Sequence, residues 1–216
     1  MSDVEKARTS QTQLVHNTPN VASRATKIAN PGALGLFSFA STTLILSLYN
    51  VNARSIHTPN VVVGMACFSG GLAQFLAGMW EFPRGNVFGA TAFTSYGAFW
   101  MSYATILIPG SGVLSAYTSP DELSQALGIY LITWFVLTFM FLIGSLRRNM
   151  GLVSLFVSLC ITFILLATGA FAGSVSVTRA GGAFGIITAW IAYYCGLSDL
   201  LVKDESWFTL PLGNIV

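Results

Sequence analysis

Six stretches of about 20 apolar residues run along the chain, at 31–50, 59–80, 87–108, 124–146, 150–172 and 180–198. A helix of that length covers the roughly 30 Å of hydrocarbon in a bilayer. The polar and charged positions gather in the connections between stretches and in the two tails. Within a stretch the apolar residues occupy nearly every face, whereas a helix of a soluble protein keeps one polar side. The pattern predicts an all-α integral membrane protein of six transmembrane helices.

Local signals mark the ends. Asn30-Pro31 supplies a cap followed by proline at a first helical position, where its missing N–H does no harm. Pro59-Asn60 does the same for the second stretch, and 82–86 (Phe-Pro-Arg-Gly-Asn) makes a turn before the third. Pro109 to Ser119 forms the longest connection. Arg147-Arg148-Asn149 is so short that the fourth and fifth helices must be antiparallel neighbours. The expected organisation is a polar, disordered tail at 1–29, a six-helix transport-type domain at 30–198 and a second tail at 199–216, with both ends loose.

Composition sharpens this picture. The chain is 54% hydrophobic and 8% charged, where a soluble domain carries about 25% charged residues. A charge at mid-depth in a bilayer costs several kcal/mol, so an interior without one is expected of hydrocarbon surroundings. The basic residues fix an orientation. Lys6, Arg8, Arg24, Lys27, Arg84, Arg147, Arg148 and Lys203 fall on the side of the termini, and only Arg54 and Arg179 on the other. Both termini are therefore expected in the cytoplasm, in a plasma membrane.

Enzyme chemistry finds no footing. His16 and His57 stand apart from acidic or Cys partners, and there is no phosphate-cradling loop or intramembrane carboxylate pair. Cys67, Cys160 and Cys195 lack metal-type spacing and read as small core residues. No enzyme activity, cofactor, metal or nucleic-acid partner is expected. Gly64, Gly71 and Gly78 recur every seven residues, which suits close helix packing, although glycine is common in membrane helices anyway.

A transport path should show as polar groups within apolar helices. The candidates are Thr42, Thr43, Gln74 and Thr94, with Tyr96 and Trp100 on one face of the third stretch beside Phe93. A lone Ser or Thr more often bonds a carbonyl of its own helix. Gln74 is harder to explain away, because a primary amide in hydrocarbon must find several partners. Glu81 sits at the cytoplasmic end of the second stretch, where it reads either as a solvated rim carboxylate or as a proton relay.

Residues 30–36 (Asn-Pro-Gly-Ala-Leu-Gly-Leu) resemble the Asn-Pro-Ala-Pro-Leu-Gly-Leu signature of the acetate uptake transporter family, which spans bacterial succinate–acetate permeases and fungal acetate and ammonia-export proteins. Asn30, Pro31, Leu34, Gly35 and Leu36 carry the match, while Gly32 and Ala33 depart from it. Residues 85–100 resemble the second signature of that family. The resemblance implies a homohexamer in which each protomer encloses its own path, narrowed midway by a Phe, a Tyr and a Leu that match Phe39, Tyr96 and Leu159. It also implies passage of acetate or a similar small monocarboxylate anion, by a channel or by proton symport. Ammonia or ammonium export, and a membrane receptor or scaffold that transports nothing, are the alternatives.

Overall fold

A computed structural model describes residues 28–215. The expected disordered tail at 1–29 lies almost wholly outside the described residues. Six long helices follow: α1 (Gly32–Asn50), α2 (Val62–Glu81), α3 (Val87–Leu107), α4 (Pro120–Ser145), α5 (Met150–Phe171) and α6 (Val175–Leu200). Five of them are long and apolar enough to cross a membrane. The sixth, α3, has the length, but Thr91, Thr94, Ser95 and Ser102 dilute its hydropathy.

Side-chain caps explain where most helices begin. The carbonyl oxygens of Asn30, Asn86 and Asn149 accept from the N–H groups of Gly32, Gly89 and Leu152 at 3.0, 3.2 and 2.8 Å. Ser119 and Ser174 cap α4 and α6 in the same way. Each satisfies an N–H that the first helical turn leaves orphaned. The serine caps start α4 and α6 one turn or more before the apolar stretch begins, so these helices overrun the hydrophobic pattern. Arg179 and Asp199 consequently lie inside α6, near its two ends.

The helices stand in a closed ring. Consecutive helices pack together, and α6 returns to pack along α1. Between α3 and α4 the backbones stay apart and aromatic rings fill the gap, with Phe99 against Trp134 at 5.0 Å and Tyr96 against Trp134 at 6.5 Å between centroids. Ser102 and the Tyr130 hydroxyl tie the same pair of helices at 2.7 Å. The centre of the ring is lined by Phe39, Tyr96, Phe99, Trp100, Phe156, Leu159 and Phe163, all buried.

Helix α2 is not regular. Phe68–Ala73 forms a π-turn, a widening of the helix that occurs often at functional sites. Gly70 within it lies so close to Thr42 and Trp100 that an added Cβ would come within 2.7 Å of both. The wide turn also breaks the seven-residue glycine stripe. Gly71 and Gly78 face Met101 and Thr94 of α3, but Gly64 has open space beside it.

The C-terminal end is not loose. The N–H groups of Met150 and Gly151, in the first turn of α5, donate to the carbonyls of Gly213 and Leu212 at 2.8 and 3.1 Å. Ile215 N–H reaches the Arg148 carbonyl, and Tyr194 and Ser198 donate to Pro211 and Leu210 carbonyls. Orphaned donors of a helix start hold this segment, a gain that an apolar pattern does not reveal.

Candidate functional site: a path through the ring

Four cavities follow one another within the ring, and each shares lining residues with the next. The first, of about 100 Å³, opens near the end where the described chain starts and finishes. Its mouth carries Glu81, Asn86, Arg148 and Asp199, and its depth Leu36, Gln74, Phe93 and the rings of Phe39 and Tyr96. A second, of about 40 Å³, lies beyond those two rings and is lined by Thr43, Trp100, Leu159 and Thr162 as well. It shares Leu46, Asn50 and Phe99 with a third of about 170 Å³. The third shares Asn50, Ala170 and Thr178 with a fourth, of about 350 Å³, at the opposite end.

Phe39 and Tyr96 line both of the first two cavities and so form the wall between them. Their rings are 5.5 Å apart, tilted by 54°. Leu159 lines the second cavity on the far side of that wall. The three residues that the resemblance singled out thus all line the second cavity, the smallest of the four.

Hydrogen bonding sorts the polar candidates. Thr42 donates to the Ser38 carbonyl at 3.0 Å, in the manner of a helix-bound threonine. Thr138 donates its one proton to the Trp134 carbonyl at 2.7 Å, so across the 2.9 Å contact between hydroxyls Tyr96 must be the donor. Tyr96 thus offers the path a ring and no free O–H. The side-chain polar atoms of Thr43, Gln74, Thr94 and Trp100 are buried with no protein partner. Of these, Gln74 lines the first cavity, and Thr43 and Trp100 the second. Thr94 packs against Gly78, between α2 and α3.

The first signature divides as well. Leu36 lines the first cavity, and Gly35 lets the Phe93 ring lie flat against α1. Leu34 points outward and is half exposed. Asn30, besides capping α1, accepts from Arg84 at 2.7 Å, and Arg84 in turn donates to Glu81 at 2.9 Å. Pro31 opens α1 between them.

Glu81 is buried, only 1% exposed, and is not the solvated rim carboxylate of one sequence reading. Nor is it the one acidic residue beside the path. Asp199, from the far end of the chain, shares the same mouth and lies against Gly32, where an added Cβ would collide with its carboxylate. The departure from the first signature at Gly32 thus makes room for Asp199. Sequence reasoning missed Asp199, which reads as an ordinary charge after the last apolar stretch. It also missed Arg148 as a path residue. Arg148 lines the mouth with its guanidinium 4.2 Å from the centre of the Phe88 ring.

A ring of apolar helices around a segmented internal path defines a membrane transport protein. Among the described residues no cluster of His, Cys, Asp or Glu could hold a metal ion. The chain belongs to the GPR1/FUN34/yaaH family, whose pattern it matches over residues 15–215. It is 44% identical over 196 residues to ammonia transport outward protein 2 of Saccharomyces cerevisiae, covering 88% of this chain and 70% of that one. Acetate permease A of Emericella nidulans is 39% identical over 201 residues, covering 88% and 67%. The succinate-acetate/proton symporter SatP of Escherichia coli is 38% identical over 190 residues, covering 88% and 97%. The chain spans 62% to 70% of the length of the fungal relatives it matches. Among solved structures, the bacterial acetate channel SatP superposes with a TM-score of 0.77 at 37% identity, covering 87% of this chain and all of that one. The resemblance drawn from the two signatures is borne out.

Proposed function

We propose that this chain carries acetate and related small monocarboxylates across a membrane, coupled to protons, through the cavities of a single protomer. The observation that carries the reading is the wall of Phe39 and Tyr96 between two cavities, each holding unpaired polar side chains. Kinship with the acetate channel SatP and with acetate permease A supports the substrate. All six helices cross the bilayer on this reading, α3 included, because Thr94, Ser95 and Ser102 are partly buried in the bundle and the exposed Thr91 and Thr105 donate to the Val87 and Met101 carbonyls of their own helix. A homohexamer in the plasma membrane with both termini cytoplasmic accords with the basic residues and with the family resemblance.

The charges sit where this function needs them. Arg84 and Arg148 at the mouth draw a carboxylate toward it, while the interior beyond holds no fixed charge that would bind the anion tightly. A bare carboxylate would lose its hydration against Phe39 and Tyr96 at high cost, so the small acid crosses the wall in its neutral form. Proton exchange then falls to the two carboxylates at the mouth. Glu81 is tied to Arg84, which also reaches Asn30, whereas Asp199 lies beside Asn30 and has no ion-pair partner among the described residues. Asp199 accepts the proton of the arriving acid, the acid leaves as its anion, and Asp199 gives the proton to water.

The relative that is an ammonia transport outward protein favours ammonium or ammonia as a second cargo. Labelled acetate uptake into vesicles carrying the protein tests the first reading. Uptake that saturates and rises with an imposed proton gradient supports it, and ammonium efflux that acetate does not compete with favours the second.

A further inference from the structure

Gln74 is a fully buried polar side chain of the first cavity whose hydrogen-bonding capacity is wholly unspent. It is 1% exposed, and neither its carbonyl oxygen nor its amide nitrogen finds a partner within the protein. Leaving such a group unpaired in apolar surroundings forfeits the hydrogen bonds it would make in water. Its position, just after the π-turn of α2, aims it among Leu36, Phe39, Phe93 and Tyr96. The 100 Å³ beside it far exceeds the ~10–15 Å³ that one water needs.

A primary amide presents a donor and an acceptor side by side in one plane. Satisfying both at once takes a guest with the mirror pattern, an acceptor beside a donor. A neutral carboxylic acid has it, its C=O accepting from Nε2 while its O–H donates to Oε1. A carboxylate does not. It presents two acceptors, and its second oxygen would lie against Oε1 with no proton between them.

We infer that Gln74 distinguishes the protonated acid from its anion by a planar two-point pair, ahead of the wall that the acid crosses in its neutral form. This deepens the proposed acetate transport and rests on it. Gln74 holds the neutral acid before the Phe39–Tyr96 wall. Beyond the wall the Trp100 N–H and the Thr43 hydroxyl, both unpaired, receive it.

Acetamide and acetone test the inference, since both match acetic acid in size and neither ionises. Acetamide offers an acceptor and a donor, and acetone an acceptor alone. With the full chain in proteoliposomes, acetamide should compete with labelled acetate at equal potency in acidic and neutral medium, and acetone at least tenfold more weakly. Gln74→Met should lose the preference for acetamide over acetone. Gln74→Glu, which has the same shape, should keep that preference only in acidic medium where its carboxyl is neutral, a pH dependence that a packing role would not produce. Acetone competing as well as acetamide, or a Gln74→Met protein that still prefers acetamide, would overturn the inference. Wild-type vesicles that take up no acetate would instead overturn the transport reading beneath it.

Discussion

Tyr96 carries two separable parts, a hydroxyl and a ring, and the structure assigns them different consequences. Tyr96→Phe removes only the hydroxyl that donates to Thr138 at 2.9 Å. Thr138 keeps its own bond to the Trp134 carbonyl, so no buried donor is orphaned and the cost is about 1 kcal/mol. Tyr96→Ala removes the ring, which is 3% exposed and packs on Phe39, Trp134 and Phe141 at 5.5 to 6.5 Å. Losing a buried aromatic side chain costs about 3–5 kcal/mol of stability, and here it also joins cavities of about 100 and 40 Å³ into one. Proteoliposome uptake of labelled acetate and of labelled butyrate, normalised to folded protein by gel filtration, reads the two effects. Tyr96→Phe should keep both rates within about twofold, because its hydroxyl is spent on the scaffold. Tyr96→Ala should raise butyrate relative to acetate several-fold. An unchanged ratio in Tyr96→Ala would show that the ring does not bound the path.

Other expectations follow from the same geometry. Asp199→Asn should flatten the dependence of acetate uptake on the pH of the compartment that the Asp199 mouth faces, while Glu81→Gln lowers the rate and leaves that dependence standing. The reverse result would move proton exchange to Glu81. Gly78→Ala should destabilise the protein by about 1–3 kcal/mol in thermal unfolding, since its new methyl would crowd the Thr94 backbone, and Gly64→Ala should be tolerated, with nothing within 4 Å of its new methyl.

How much the sequence discloses depends on the distance over which its information acts. The helices are legible because exclusion of charge from hydrocarbon acts on every residue of a span. Their ends are less so, because Ser119 and Ser174 cap α4 and α6 outside the apolar stretches. Gln74 stands out in the sequence, since an amide among apolar residues is anomalous wherever it lies. Leu159 looks like any other span residue and is found through family resemblance alone. Asp199 and Gly32 are ordinary one at a time, and their meaning appears only when α6 returns to pack on α1. The hydroxyls of Thr42 and Tyr96 show the same limit from the other side. Both look available to a substrate, and both are spent, on Ser38 within its own helix and on Thr138 across the ring.

Proton-coupled passage of a small acid through one protomer is the activity that this geometry serves. Purified protein in sealed vesicles, with labelled acetate equal on both sides and a proton gradient imposed, tests it most directly. Acetate should accumulate on the alkaline side faster than in protein-free vesicles, larger acids should pass faster through Tyr96→Ala, and collapsing the gradient should abolish accumulation. Accumulation no faster than through protein-free lipid would contradict proton-coupled passage.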